Sequence, residues 1–169
     1  MTLKIRIVGS ALAGMLALVA GATAGSAQTT EVAQASGAFG QLSGSWSGGG
    51  KVKFADGKSE RISCRAYYNP KGGDELGLAI RCASTSYKIE IRANLQHANG
   101  RLSGRWEERT FNASGDVTGK ASRGNISMSI NGGGLSGSMS VSYGSSTQAV
   151  SISTEGTNLK GVTISLSRG

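Results

Sequence analysis

Histidine is almost absent from this chain of 169 residues, which contains only one, His97. It directly precedes Ala98-Asn99-Gly100 and has no acidic neighbour in sequence, which favours an exposed turn histidine over a catalytic one. The Gly-x-Ser-x-Gly element of serine hydrolases is also missing, although serine and glycine are abundant. No cluster of histidine, cysteine or carboxylate has the spacing of metal ligands. The sequence therefore predicts neither an enzyme nor a protein with a metal or other cofactor.

Cysteine is scarce as well, and only Cys64 and Cys82 occur. An even number of cysteines suits an oxidising compartment, so we expect a disulfide between them. The alternatives are metal ligands or a catalytic thiol, but a two-cysteine metal site would need further ligands. A bridge closing a loop of about 18 residues would stabilise the fold by ~3 kcal/mol in the chain-entropy model.

Residues 1–27 have the pattern of a secretory signal peptide. Lys4 and Arg6 give a basic start, an apolar run follows, and the small residues Gly25-Ser26-Ala27 precede a polar stretch. A retained transmembrane helix is the alternative, but glycine and serine interrupt the apolar run. We expect cleavage after about Ala27 and a periplasmic or secreted protein.

The mature chain, residues 28–169, is long enough for one domain with one core. Residues 28–40 lack periodicity and are predicted to be a flexible lead-in, followed by a single β-barrel domain at 41–169. Two of the 18 basic residues lie in the signal, which leaves 16 against 10 acidic residues, a net charge of +6. This moderate excess is compatible with attraction to an anionic surface.

Apolar and polar residues alternate with period 2 from Gln41 onward, and no helix-length segment has the 3.6-residue period. Four Leu-x-Gly elements start strand-like runs, and three of them directly follow a turn, as in Asn99-Gly100-Arg101-Leu102-Ser103-Gly104. The pattern predicts an all-β, antiparallel up-and-down meander of about 8–10 strands, closed into a barrel with its apolar face inside.

Turn residues also predict registers. A two-residue turn at Asn99-Gly100 would place Ala93 opposite Trp106, Arg92 opposite Glu107 and Glu90 opposite Arg109. A second turn at Gly132-Gly133 would place Ile126 opposite Met139. Pairing Cys64 with Cys82 would align their two strands, and a bulge at Lys160-Gly161 would restore the inward parity of the last strand.

Gly44-Ser45-Trp46 on the first strand and Arg168 after the last resemble the Gly-x-Trp motif and terminal arginine of the calycin superfamily, which includes lipocalins and avidins. The resemblance implies a calycin-like barrel in which Trp46 and Arg168 pack together at the closed end.

Longer segments resemble an uncharacterised family of exported α-proteobacterial proteins, with Thr85 standing where we expect aspartate in that family. The resemblance implies export and a disulfide, and it carries no activity. The segments are 43–50, 64–67, 81–87 and 104–108.

The predicted inner face supplies the candidate ligand or interior residues. Glu60 and Glu108 share its parity, and either they mark a ligand pocket or they lie at strand ends on the rim, which we favour. The other candidates are Trp46, Trp106, Tyr87, Met128 and Met139.

The predicted outer face collects basic residues that could dock an anionic partner or could be an ordinary solvated surface. Nucleic acid is not an expected partner, because the chain is exported and the face has no run of stacking aromatics. The residues are Arg61, Arg65, Arg81, Lys88, Arg92, Arg105 and Arg109.

The leading functional hypothesis is a non-enzymatic exported barrel that binds a small apolar or amphipathic ligand. The first alternative is an envelope-associated interaction or inhibitor module that uses the basic face. The second is an outer-membrane barrel with its apolar face turned to lipid.

Overall fold

A computed structural model describes residues 37–169, so the predicted signal peptide and most of the lead-in lie outside the described residues. One turn of 3₁₀ helix precedes ten β-strands. The turn is Gly40–Leu42, and the strands are β1 Gly44–Phe54, β2 Ser59–Lys71, β3 Glu75–Ala83, β4 Lys88–Ala98, β5 Arg101–Glu108, β6 Ala113–Ser122, β7 Asn125–Gly132, β8 Leu135–Tyr143, β9 Thr147–Glu155 and β10 Leu159–Arg168.

Every strand pairs antiparallel with its sequence neighbours, and β10 pairs with β1 to close the barrel. The predicted all-β, up-and-down, closed barrel is therefore confirmed, at the upper end of the predicted strand number. Closure leaves no strand edge open for pairing with another chain. Within residues 37–169, no helix has the length and apolar character needed to span a bilayer.

The apolar face lies inside. On β2, for example, Ile62, Cys64, Ala66 and Tyr68 are buried, while the alternating residues are exposed. The outer face is mainly serine, threonine, lysine and arginine. The outer-membrane alternative required apolar side chains on the outside, and it is wrong on this point.

The β4–β5 hairpin has the predicted register. Ala93 lies opposite Trp106 and Arg92 opposite Glu107, and both turn residues have positive φ, 52° at Asn99 and 76° at Gly100, as a type I′ turn requires.

The β7–β8 hairpin differs from its prediction. Its turn is Gly133-Gly134, so Ile126 lies opposite Val141, and Met139 lies opposite Met128 rather than opposite Ile126. Three consecutive glycines accept positive φ equally well, so the sequence does not decide which two form the turn. The displacement preserves which side chains face inward.

The predicted bulge in β10 is present. Gly161 lies opposite Lys53 and Leu159 opposite Phe54, so Lys160 has no partner in β1. The extra residue brings Val162 and the alternate residues after it into the core.

Residues 37–43 and the end of β10 meet at one end of the barrel, called here the closed end. It is formed by residues 37–43, the loops 72–74, 99–100, 123–124 and 144–146, and Arg168. Phe39 and Leu42 are fully buried there. The sequence placed Phe39 in a flexible lead-in, and this is a correction: a single buried aromatic among small polar residues gives no periodic signal.

Arg168 and Trp46 pack together at this end, as the calycin resemblance implied. The guanidinium carbon lies 4.5 Å from the centroid of the indole ring, a cation–π contact. The guanidinium also donates to the carbonyls of Gln41, Ser43 and Ser145. The indole Nε1–H donates to the Leu42 carbonyl at 2.8 Å, which fixes the 3₁₀ turn over the barrel.

Candidate ligand-binding cavity

An apolar cavity of about 440 Å³ lies inside the barrel. It extends to the opposite end, called here the mouth, which is formed by the loops 55–58, 84–87, 109–112, 133–134 and 156–158. The volume is within the range of small-molecule sites. The barrel interior is therefore only partly filled by its own side chains.

The cavity wall is built from the inward residues of the strands. Along β3 and the loop after it, the lining runs from Leu76 to Ser84. At about 3.3 Å per residue this is ~26 Å of strand, or roughly 20 Å along the axis of a barrel with ordinary strand tilt. Much of the wall is branched aliphatic: Leu78, Ile80, Ile89, Ile91, Ile130, Leu135 and Ile152.

Most of the sequence-predicted interior residues meet around this cavity. Trp106, Met128, Met139, Tyr87 and Glu108 all line it. Trp46 does not: it lies beneath Arg168 at the closed end with 1% of its surface exposed. Glu60 lies beside a mouth loop and is half-buried.

Glu108 ends β5 at the mouth and is 8% exposed. Burial alone would raise the pKa of its carboxyl, but its oxygens accept the backbone N–H groups of Glu90, Thr110 and Phe111, and the net effect is a pKa below the ordinary value. Its hydrogen bonds hold the β5–β6 loop. Glu108 lies at the rim, as we favoured from the sequence, but the sequence did not predict that it is buried there.

Glu60 holds the neighbouring loop between β3 and β4. Its carboxylate accepts the Ser86 hydroxyl at 2.7 Å and the Ser86 backbone N–H at 3.3 Å. Hydrogen bonds from Ser84 and Ser86 lower the pKa of Glu60. Both inward carboxylates are therefore satisfied by mouth loops.

Aromatic side chains stand at the mouth. Phe111 on the β5–β6 loop is 63% exposed and Tyr87 on the β3–β4 loop is 42% exposed, and both line the cavity. The ring of Tyr87 lies 5.4 Å from that of Phe54, centroid to centroid. Each carboxylate described above thus anchors a loop that carries one exposed aromatic ring.

A polar pair forms the floor of the cavity toward the closed end. The Tyr68 hydroxyl lies 2.9 Å from Nε2 and 3.1 Å from Oε1 of Gln148. Gln148 is 3% exposed and Tyr68 is 4% exposed. Burial raises the pKa of Tyr68 to about 12, so its hydroxyl stays protonated at neutral pH.

Unlike the floor pair, two side chains contain buried polar atoms that have no hydrogen-bond partner within residues 37–169. They are Nε1 of Trp106 and both ring nitrogens of His97. His97 is not the exposed turn histidine that the sequence predicts. It lies near the end of β4, half-buried, with its ring edge against Phe39 and its Nδ1 3.6 Å from Asp74.

The predicted basic residues are all exposed on the outer face. Glu90 lies among three of them, with nitrogen–oxygen distances of 3.3 Å to Arg81, 3.1 Å to Arg92 and 3.6 Å to Arg109. Hydrogen bonds from Arg81 and Arg92 lower its pKa. The expected pairing of Arg92 with Glu107 is replaced by this cluster, since Arg92 reaches along its own strand.

Sequence reasoning missed the floor pair and the loop-anchoring role of the two glutamates. Tyr68 has inward parity, and Gln148 also falls at an inward position of β9, next to the buried Val150. A polar residue at an inward position was the available signal. Phe111 had none, because it lies in a loop without periodicity.

The comparisons with known proteins show the fold. No protein-family model and no curated protein matches the sequence. The crystal structure of Rv2717c from M. tuberculosis is similar with a TM-score of 0.64 at 12% identity, covering 76% of this chain and 93% of that one. The S-type phycobiliprotein lyase CPES from Guillardia theta is similar with a TM-score of 0.52 at 14% identity, covering 76% and 87%. At these identities the likeness extends to the architecture of a closed antiparallel β-barrel and no further.

Proposed function

We propose that this protein is a non-enzymatic, exported binding barrel that holds a small, largely apolar ligand. The observation that carries the proposal is the cavity itself, about 440 Å³ of apolar space that reaches the mouth. A barrel selected for stability alone gains by filling such a space, because each missing contact weakens the core.

The difference between the two ends supports the proposal. The closed end is sealed by fully buried side chains, while several aliphatic residues near the mouth, among them Ile130, Leu135 and Leu159, are only half-buried. Two aromatic rings flank the opening on loops tied down by Glu60 and Glu108. Such an arrangement gives a ligand one route in and a rigid chamber behind it.

A matched pair of variants on β7 tests ligand binding. Ile130 lines the cavity and Ser129 lies beside it on the outer face. Ile130→Trp should fill the chamber and weaken binding of the neutral dye Nile red at least tenfold, while Ser129→Trp should leave it within twofold. Fluorescence titration measures both. Equal binding by the two variants would place the dye outside the barrel and sink the proposal.

Export belongs to the same proposal. The signal-like pattern of residues 1–27, the resemblance to exported α-proteobacterial proteins and the Cys64–Cys82 disulfide support a periplasmic or secreted location. Osmotic shock of producing cells should release a chain that begins near Gln28. Native mass spectrometry of that material would also show whether a ligand travels with it.

A second candidate function rests on the outer face of β1–β3. Lys51 lies directly opposite Arg61, and Arg65 opposite Arg81, which is an unfavourable arrangement on a sheet. Glu90 offsets the charge of Arg81, but within residues 37–169 no carboxylate pairs with Lys51, Arg61 or Arg65. An anionic component of the envelope would offset these three charges. Arg61→Glu with Arg65→Glu should then release the protein from envelope fractions, and unchanged fractionation would rule this function out.

A further inference from the structure

We infer that the ligand of this barrel is uncharged and carries one hydroxyl or comparable neutral polar group, which binds at the Tyr68–Gln148 floor. The inference rests on the proposed function and narrows it to a ligand class. Two observations support this inference: the lining contains almost no charged side chains, and the Gln148 amide has hydrogen-bonding positions that Tyr68 does not use.

The lining excludes a charged ligand. Within residues 37–169 no lysine, arginine or histidine lines the cavity, and Glu108 is the only carboxylate in its lining. An anionic head group would lose its hydration without meeting a cation, which costs several kcal/mol. A barrel for a carboxylate or phosphate ligand would need at least one inward cationic side chain.

Glu108 does not offer a site for a cationic ligand either. Its two oxygens already accept three backbone N–H groups, and only 8% of the residue is exposed. Turning toward a ligand would release these donors and free the β5–β6 loop. The one charge in the lining is therefore committed to the protein.

The floor pair has capacity for one more polar group. A glutamine amide has two N–H donors and two acceptor positions on its oxygen. Tyr68 uses one donor and one acceptor of Gln148, and the structure gives this amide no other side-chain hydrogen bond within the described residues. The remaining N–H and the remaining acceptor position point to opposite sides of the amide, so a ligand hydroxyl can use one of them, accepting from the N–H or donating to the oxygen.

The placement of polar groups sets the orientation. Between the floor and the mouth the wall is largely aliphatic, and Trp106 and the methionines add further apolar surface. An elongated molecule with its polar end at the floor would place its apolar body along this wall. The reverse orientation would leave the floor amide facing hydrocarbon.

Four probes that share an unbranched ten-carbon chain test the inference on the full-length mature protein. Displacement of Nile red is measured for decanol, methyl decanoate, decanoate and decyltrimethylammonium at neutral pH. We expect the two neutral probes to bind at least tenfold more tightly than either ion. An ion that binds within threefold of decanol would overturn the inference.

A second arm tests the floor. The affinity ratio of decanol to decane should fall at least fivefold in Gln148→Leu and stay within twofold in the outer-face control Ser140→Leu. In Tyr68→Phe all hydrogen-bonding positions of the Gln148 amide remain available to a ligand, so the affinity ratio of decanol to decane should not fall. An unchanged ratio in Gln148→Leu, or an equal fall in Tyr68→Phe and Gln148→Leu, would contradict binding at the amide.

The two proposals fail in different ways. If the neutral and the charged probes all leave Nile red in place, and Ile130→Trp also has no effect on the dye, the binding function itself is wrong. If the probes displace the dye without regard to charge, the binding function stands and the ligand class is wrong.

Discussion

The two tryptophans of this barrel have different polar surroundings. Trp46 donates its indole N–H to Leu42 and stacks under Arg168, whereas the indole N–H of Trp106 has no partner in the described part of the chain. Both rings are nearly fully buried, with 1% and 9% exposed. The contributions of the two side chains to the free energy of unfolding should therefore differ mainly by the hydrogen bond and the cation–π contact that Trp46 makes.

Phenylalanine substitutions should measure this difference. Trp46→Phe loses a hydrogen bond and part of a cation–π contact, each about 1 kcal/mol. Trp106→Phe removes an N–H that has no partner. We expect the free energy of unfolding to fall by about 1–2 kcal/mol more in Trp46→Phe than in Trp106→Phe, as measured by denaturant titration. Equal losses would mean that neither the hydrogen bond to Leu42 nor the Arg168 contact adds to stability.

Glu108 should make the mouth sensitive to acid. Its pKa is lower in the folded than in the unfolded chain, so its stabilising contribution is complete above the unfolded pKa, near 4.3, and is lost as the pH falls through the folded value. Glu108→Gln removes the charge that three N–H groups share. It should cost about 1–3 kcal/mol at pH 7 and flatten the pH dependence of stability below pH 5.

Glu107→Gln is the matched control. The neighbouring residue is exposed, and it makes no ion pair within residues 37–169. Thermal unfolding across the acidic range should show wild-type behaviour for Glu107→Gln. A flattened profile in this control would show that the effect arises from net charge rather than from the loop hydrogen bonds.

At the scale of elements, the disulfide joins β2 and β3 where the strands are already in register. Cys64 lies directly opposite Cys82, with Cα atoms 4.1 Å apart. The bridge stabilises the fold chiefly by restricting the unfolded chain, by ~3 kcal/mol for a separation of this size.

Reductant should therefore lower the free energy of unfolding of the wild type by ~3 kcal/mol, to that of Cys64→Ala with Cys82→Ala. The double variant should not respond to reductant, which makes it the control for effects of the reagent itself. If the oxidised protein and the double variant unfold at the same denaturant concentration, the sheet alone fixes this pair of strands.

A hairpin could be predicted from the sequence where its turn residues allow only one turn position. Asn99-Gly100 has two residues that accept positive φ, and its hairpin was placed correctly. The run Gly132-Gly133-Gly134 offers two equivalent turns, and there the prediction failed by two positions in pairing. Inward parity was right in both hairpins because displacement by two residues leaves the face unchanged.

The candidate site was less predictable, because its shape depends on what the strands leave unfilled. Trp106, Met128 and Met139 were placed inside by alternation, but alternation does not determine how much of the interior these side chains fill. The cavity arises from closure with ten strands, a barrel size that alternation does not fix. The loop contacts of Glu60 and Glu108 connect different strands and have no signature in a single segment.

At the scale of the whole molecule, the two ends of the barrel differ in burial, and we expect substitutions at the closed end to affect stability and substitutions at the mouth to affect the proposed ligand binding. Phe39 is fully buried at the closed end, whereas Phe111 is 63% exposed at the mouth. Phe39→Ala should lower the free energy of unfolding by about 3–5 kcal/mol, the usual cost of removing a buried phenylalanine. Phe111→Ala should change it by less than about 0.5 kcal/mol.

Ligand release should depend on Phe111 at the mouth and not on Phe39 at the closed end. Phe111→Ala removes a ring from the mouth and should change the rate at which Nile red dissociates, measured by stopped-flow fluorescence. Phe39→Ala should leave that rate unchanged under conditions where the variant is folded. A dissociation rate that depends on Phe39 rather than on Phe111 would mean that ligand leaves through the closed end.

The pairing of β1 with β10 has a mechanical consequence. The strands are antiparallel, and Trp46 near the start of one lies opposite Arg168 at the end of the other. A force that pulls the two chain ends apart would therefore act across the first hydrogen bonds of this seam and open them one after another, like a zipper, instead of loading all of them together in shear. Once the contacts of Arg168 with Trp46 and with residues 41–43 are broken, the barrel should open at low force between β1 and β10.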